Sequence, residues 1–226
     1  RPASPGTRMT YHQEGSLQPS SSGMTSHTRW MTSWIAVWNS TAANATGTPS
    51  TGTVVFAANM PAEVGGAGLD TLTWVLYEKE LGRANYALHW NCVARPSNIL
   101  MACVGEQREK YLFPAVQGNM VDCLAMTEPG VGSDVRGMKC FAKQDGDDFV
   151  INGTKHFISH ADEATFTILF AATGEEDTPR GKKKLITAFL VDKGTKGFTV
   201  RDGYKNVSHR GYNNCILEFN DCRLHK

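Results

Sequence analysis

The sequence predicts an α+β protein in which a helical half is followed by an antiparallel, barrel-like β half. Two observations carry this prediction. Before about residue 118 the apolar residues recur at helical spacing, whereas beyond it they fall in short runs separated by turn residues. The dipeptides Asp145-Gly146 and Asn152-Gly153 are typical of tight turns between antiparallel strands.

Composition argues against several classes of protein. A hydrophobic fraction of 41% is too high for a chain that is disordered throughout. A formal net charge of +1 does not indicate the excess of basic residues that is typical of nucleic-acid-binding proteins. No apolar run approaches the roughly 20 residues that span a bilayer, so no membrane partner is predicted. The six cysteines show neither C-x-x-C pairs nor metal-ligand spacing with histidine, so we predict reduced thiols and no metal.

Residues 1–53 form a low-complexity segment that is predicted to be disordered. Glu14 is its only acidic residue, and serine, threonine, glycine and proline dominate it. The spacing of Trp30, Trp34 and Trp38 would place three indoles on one face of a short helix over 29–38. A packed helix there is about as probable as a chance spacing.

A helical domain is predicted over residues 54–119. Its clearest helix covers 71–81, with Asp70 as the N-cap and Gly82 closing the helix. A second helical stretch is predicted over 86–104, and a third over 106–112, ending before Pro114.

A β domain is predicted over residues 120–226. Its strands are expected where short apolar runs stand between turn residues, and no helical spacing separates them. These runs cover residues 138–142, 149–151, 166–172, 186–191, 198–200 and 215–219.

The loop at residues 124–134 carries the strongest functional signal in the sequence. Gly130 and Gly132 let the backbone approach a ligand closely, and neighbouring N–H groups with the hydroxyl of Ser133 could hold a phosphate. Thr127 adds a second hydroxyl. By pattern alone a plain surface β-turn is an equally good interpretation.

This loop closely resembles the T-E-P-G-x-G-S-D signature of the acyl-CoA dehydrogenases. Further blocks resemble the same family in the same order, so the resemblance is collinear over residues 61–224. The blocks cover 60–69, 110–114, 151–159 and 215–223. The resemblance implies a helical N-terminal domain and a β-barrel-like middle domain that binds FAD.

The resemblance also implies which residues contact the flavin. Thr127 would lie near the pyrimidine edge and Ser133 near the pyrophosphate and the thioester substrate. Phe157 stands where the family usually has Trp, and Ser159 where it usually has Thr. The cofactor-binding residues implied are Leu124, Ala125, Met126, Thr127, Gly130, Gly132, Ser133, Phe157, Ile158 and Ser159.

Three charged or titratable positions near these blocks have competing interpretations. The basic run 180–184 is typical of a solvated hairpin loop, although the resemblance allows Lys183 to contact CoA phosphates. His156 lies in a strand expected to alternate, and we assign it no catalytic role. Glu128 lies in a turn whose role in the family is structural.

The resemblance implies α,β-dehydrogenation of acyl-CoA thioesters. In the family a glutamate of a C-terminal helical domain removes the α-proton while a hydride passes from the β-carbon to flavin N5. The sequence ends at residue 226, where that domain would begin, so we expect a truncated form without a catalytic residue and nearly inactive alone.

Two other functions and several partners remain open from the sequence. The chain could be a non-catalytic module that binds acyl-CoA or flavin, or a flavin oxidase of the same fold. The resemblance implies an electron-transfer flavoprotein as acceptor and a homotetramer for the full-length form. The absence of a clear Arg-rich presequence favours the cytoplasm, with the mitochondrial matrix as the alternative.

Overall fold

A computed structural model describes residues 57–83, 96–179, 181–207 and 213–225. The predicted low-complexity segment 1–53 and its helix over 29–38 lie outside these residues. So do the greater part of the predicted second helix, Cys92 and Arg180.

The clearest helix predicted from the sequence is confirmed. Helix α1 spans Thr71–Leu81, and Asp70 caps it by accepting hydrogen bonds from the backbone N–H groups of Leu72 and Thr73. Gly82 ends it. No residue of α1 is fully buried, and its side chains Leu72, Val75 and Leu76 are exposed. No helix among the described residues is long and apolar enough to cross a membrane.

The other helical segments are shorter or differently bounded than predicted. Two 3-10 turns cover Ala62–Val64 and Asn98–Ala102, so the described end of the predicted second helix is not α-helical. The third helix does not end before Pro114. A π-helical turn, Arg108–Leu112, leads directly into α2, Phe113–Val116.

The π-helical turn explains why Pro114 does not break this helix. Proline lacks the N–H needed for the i to i−4 bond, and its ring clashes with the carbonyl four residues earlier. Here the N–H of Phe113 bonds to the carbonyl of Arg108, five residues back, which widens the turn just before the proline.

Within the described residues, seven strands form one mixed sheet, which curls into a half-barrel. The prediction of an α+β fold with a barrel-like β half is confirmed. The strands are β1 (Asp122–Ala125), β2 (Phe141–Asp145), β3 (Asp148–Ser159), β4 (Phe166–Thr178), β5 (Gly181–Asp192), β6 (Phe198–Tyr204) and β7 (Asn214–His225).

The strand order is β1-β4-β2-β3-β7-β6, with β5 paired to β4. The pairs β2–β3, β4–β5 and β6–β7 are antiparallel, as expected for strands that follow one another along the chain. The pair β3–β7 is also antiparallel, although three strands separate β3 from β7 in the sequence. Parallel pairing was not predicted, but β1 runs parallel to β4. Strand β2 also has one parallel pair with β4, Phe141 with Ala172. Longer connections make these parallel pairs possible.

Of the two dipeptides that predicted hairpin turns, one lies at a turn and the other does not. The first pair does mark the hairpin between β2 and β3: Asp145 ends β2 and pairs with Asp148, and the turn consists of Gly146, with a φ of +64°, and Asp147. The interpretation of Asn152-Gly153 as a turn is wrong, because both residues lie inside β3. Gly153 sits where the register with β7 shifts, and a Cβ there would lie 2.7 Å from the Cα of Cys140. The glycine therefore permits close backbone packing.

Two hydrophobic clusters meet at β4. Residues of alternating orientation along β4 face opposite sides, so Phe166 and Ile168 pack against the helical half while Leu169 and Ala171 pack inside the curled sheet. The rings of Tyr111 and Phe166 lie 4.9 Å apart between their centroids. This shared strand fixes the helical half against the sheet.

A polar contact also joins the helical half to β1. The carboxylate of Asp122, half-buried, accepts a hydrogen bond of 3.1 Å from the backbone N–H of Ser97. Burial raises the pKa of Asp122 to about 6. The unfolded value is about 3.9, so the folded chain binds this proton more tightly, and the stability the group contributes is lost as pH rises from about 4 to 6.

Asp122→Asn is expected to raise the free energy of unfolding at pH 7 by about 1 to 2 kcal/mol, with no gain at pH 4. Asparagine keeps an oxygen for the Ser97 N–H but never ionises. Urea unfolding at both pH values measures this. Asp148→Asn is the control of opposite sign, because His225 and Arg223 lower the pKa of Asp148. Equal stability of Asp122→Asn and the parent at pH 7 would contradict the prediction.

Candidate functional site

The two segments predicted to line the flavin lie side by side. Strand β1 ends at Ala125, and the chain continues through Met126 and Thr127. The backbone N–H of His156 in β3 donates to the carbonyl oxygen of Thr127 at 3.0 Å. Because His156 directly precedes Phe157, this bond places the second predicted segment against the first.

A β-bulge in β3 sets the orientation of Phe157. Lys155 pairs with Leu217 and Ile158 with Cys215, so three steps along β3 match two along β7. The extra residue is accommodated at Phe157, which has a φ of +55°. Simple alternation was expected here, and that expectation is wrong: the bulge lets Lys155 and Ile158 both face the interior while Phe157 stays 48% exposed.

The loop after Thr127 forms a tight turn with an open surface. Backbone hydrogen bonds between Glu128 and Val131 close it, and Gly130 has a φ of +83°. A Cβ at Gly130 or Gly132 would meet no atom within 4 Å. Within the described residues, the backbone N–H of Ser133 donates to no backbone acceptor.

The hydroxyls of Thr127 and Ser133 also remain available to a ligand. Neither forms a hydrogen bond with another described residue. Ser133 is exposed and Thr127 is half-buried. Two free hydroxyls, the N–H of Ser133 and the exposed ring of Phe157 therefore belong to two segments that the His156–Thr127 hydrogen bond joins.

A buried ion pair holds the loop to β3. Lys155 has no exposed side-chain surface, and its Nζ lies 2.7 Å from Oε1 of Glu128, which is 3% exposed. The same Nζ donates to the carbonyl oxygen of Met126 at 2.9 Å. The two carboxylate oxygens of Glu128 also accept from the backbone N–H groups of Lys139 and Cys140, at 2.6 and 3.0 Å.

This network gives Glu128 the structural role that was expected for it. Every acceptor of a buried carboxylate must be satisfied, and here a cation and two N–H groups satisfy them. Sequence reasoning missed Lys155 as its partner. The sequence signal that could have identified this partner is a lysine at a strand position where alternation with Ile151 predicts an inward-facing side chain.

The predicted cofactor residues divide into exposed and buried side chains. Leu124 and Phe157 are exposed, and Met126 is half-buried. Ala125 and Ile158 belong to the core inside the sheet, so only their backbone could reach a ligand. Ser159 is half-buried, and its hydroxyl donates to the side-chain oxygen of Asn214 over 3.4 Å.

Phe157 belongs to a cluster of three rings. The ring of Tyr204, at the end of β6, lies 4.2 Å from that of Phe157, measured between centroids. His156 contacts both rings, and its Nδ1 lies 3.2 Å from the Tyr204 hydroxyl oxygen. Tyr204 is 41% exposed, so the cluster is open to a ligand. Sequence reasoning assigned no role to Tyr204.

Lys183, the predicted substrate contact, lies in the β4–β5 hairpin. Its Nζ is 2.9 Å from Oε1 of Glu176, and Lys182 lies 3.8 Å from Glu175 on the same pair of strands. Acidic residues of β4 thus face the basic residues of β5. This arrangement favours the interpretation as a solvated hairpin, since the charge of Lys183 is already partly neutralised.

The surface fits a ligand that combines a flat ring with a phosphate. The exposed ring of Phe157 offers a stacking face, and the open loop at Gly130, Gly132 and Ser133 offers small residues and hydrogen-bond donors. Within the described residues no group of three or more His, Cys, Asp or Glu could hold a metal. The five described cysteines are buried free thiols, and burial raises the pKa of Cys123 to about 12.

Two family models match the chain. The model described as "Acyl-CoA dehydrogenase, N-terminal domain" matches residues 54–119, and the one described as "Acyl-CoA dehydrogenase, middle domain" matches residues 123–222. Together they cover the helical half and the sheet.

Curated proteins and solved structures of the same kind are similar to this chain. The mitochondrial isovaleryl-CoA dehydrogenase of Pongo abelii is 37% identical over 73% of this chain and 39% of its own length. The human mitochondrial short-chain specific acyl-CoA dehydrogenase is 34% identical over 76% of this chain and 42% of its own length. The structure of butyryl-CoA dehydrogenase from Megasphaera elsdenii has a TM-score of 0.64 at 28% identity, covering 77% of this chain and 46% of that one. The chain thus spans about two fifths of the length of these curated relatives.

Proposed function

Because this chain belongs to the acyl-CoA dehydrogenase family, we propose that it forms the FAD-binding part of an oxidoreductase that α,β-dehydrogenates acyl-CoA thioesters. The observation that carries the proposal is the hydrogen bond from His156 to Thr127, which joins the two predicted cofactor segments into one surface. Relatives at 34 to 37% identity support the same reaction class.

Each part of this surface suits one part of FAD. The ring of Phe157 and the side chains of Leu124 and Met126 would pack against the flavin ring system. The donors of Thr127 and Ser133 would bond to its polar edge and to the pyrophosphate. Ala125 and Ile158 would contribute through their backbone, because their side chains fill the core. When bound, FAD supplies the hydride acceptor for the β-carbon of the substrate.

Glu128 does not supply the carboxylate that removes the α-proton in this proposal. It is buried, and its two oxygens already bind Lys155, Lys139 and Cys140. A base must reach the proton it abstracts, which these contacts prevent. We expect the base to come from a part of the protein that these residues do not include, so that the chain alone binds flavin without reducing it.

The proposal also covers the substrate and the partners. Ser133 would meet the thioester substrate, with Lys183 as the candidate contact for CoA phosphates once it leaves Glu176. An electron-transfer flavoprotein would accept the electrons, and the full-length form would be a homotetramer. A reducing compartment suits the buried thiols; it would be the cytoplasm or the mitochondrial matrix, and two relatives are named mitochondrial.

The test is a visible absorption titration of the purified chain with FAD, followed by anaerobic addition of butyryl-CoA. We expect a bound flavin with a shifted spectrum that stays oxidised. Phe157→Ala should weaken FAD binding by about tenfold, because it removes the exposed ring. Leu185→Ala, which truncates an exposed apolar side chain of β5, is the matched control and should bind FAD like the parent.

Three results would change the proposal. Failure of the parent chain to bind FAD would refute it. Bleaching of the flavin by butyryl-CoA would show that a carboxylate of this chain acts as base. Tight binding of butyryl-CoA without any flavin would support the alternative of a non-catalytic acyl-CoA-binding module.

A further inference from the structure

Two bulges lie at the same level on either side of β7. On one side, the bulge of β3 turns Phe157 outward. On the other, β6 pairs Arg201 with Ile216 and Tyr204 with Asn214, so β6 also carries one extra residue. Bulges re-aim side chains and are frequent beside functional sites.

Gly203 makes the second bulge possible. A Cβ at Gly203 would lie 1.9 Å from the carbonyl oxygen of Asn214, so only glycine lets β6 approach β7 this closely. The next residue, Tyr204, is thereby held against Phe157, with 4.2 Å between ring centroids and an interplanar angle of 32°. The two bulges together assemble one aromatic surface from two strands that are not neighbours.

The described residues form this aromatic surface but do not bury it. Phe157 is 48% and Tyr204 is 41% exposed, although both are large rings that a core would bury. His156 fixes the phenol through its Nδ1, 3.2 Å from the hydroxyl oxygen. The backbone N–H of the same His156 bonds to the carbonyl oxygen of Thr127, so the aromatic cluster is tied to the residue that leads into the polar loop.

We propose that Tyr204 is a cofactor-contacting residue of this chain, packing with Phe157 against the isoalloxazine ring of FAD. This inference rests on the proposed function and deepens it. Aromatic rings prefer offset or tilted contacts with a planar π-system, which two adjoining, tilted rings provide. The bond to His156 holds the Tyr204 ring in place before the cofactor arrives, which limits the entropy lost on binding.

The experiment compares three variants of the full chain in FAD titrations, read by absorbance and by flavin emission. Tyr204→Leu removes the ring, and we expect Kd for FAD to rise about 3- to 10-fold. Tyr204→Phe keeps the ring but loses the bond to His156, so Kd should rise less than it does for Tyr204→Leu. A phenol in contact with a flavin quenches its emission far more than a phenyl ring does, so both variants should emit more strongly than the parent when saturated.

Phe141→Leu is the matched control, because Phe141 is an equally exposed ring on β2 outside the cluster. It should leave both readouts unchanged. If Tyr204→Leu binds FAD with the affinity and emission of the parent, Tyr204 does not touch the flavin and the inference falls while the proposed function stands. If the parent itself binds no FAD, both fall together. Far-UV circular dichroism of each variant verifies that the sheet is intact.

Discussion

Lys155→Met is expected to lower the free energy of unfolding by about 3 to 5 kcal/mol. Methionine has a similar volume, so the change removes the charge rather than the packing. Glu128 would then be a buried carboxylate with two N–H donors and no cation, and the carbonyl of Met126 would lose its donor. Urea unfolding of parent and variant measures the loss.

Lys183→Met is the matched control, because Lys183 forms an ion pair of similar length with Glu176 at the surface. Exposed pairs contribute about 0 to 1 kcal/mol, so this variant should unfold almost like the parent. Glu128→Gln combined with Lys155→Met should cost less than the sum of the single changes, since the pair acts as a unit. A loss below about 1 kcal/mol for Lys155→Met would contradict a structural role for this ion pair.

Gly153→Ala is expected to cost about 2 to 4 kcal/mol. Gly153 has a φ of +149°, and the added Cβ would lie 2.7 Å from the Cα and the Cβ of Cys140. Neither atom is the end of a flexible side chain, so β2 and β3 would have to move apart. The midpoint and slope of urea unfolding give the size of the loss.

Gly146→Ala separates the contact from the backbone strain. Gly146 also has a positive φ, +64°, but a Cβ there would meet no atom within 4 Å. Its cost should therefore be about 1 kcal/mol, from strain alone. Equal losses for the two alanine variants would mean that Cys140 yields without cost, and the account of close packing at Gly153 would be wrong.

Local rules correctly predicted the structural elements that depend on only a few neighbouring residues. Asp70 capped α1 because an aspartate side chain reaches the N–H groups two and three residues on, whatever packs around it. The Asp145-Gly146 turn formed for a similar reason. Local rules failed at Pro114, where a π-helical turn removes the expected conflict, and at Asn152-Gly153, where a turn-forming pair lies within a strand.

The fold class, the family and the two segments of the candidate site could be predicted from the sequence alone. These follow from apolar spacing and from collinear motifs, which are written along the chain. The folded structure was needed to see that Lys155 is buried against Glu128, that Phe157 departs from the alternation of β3, and that Tyr204 contacts Phe157. The physical reason is that bulges and ion pairs depend on the register between strands that are distant in sequence, and no residue pattern within one strand specifies that register.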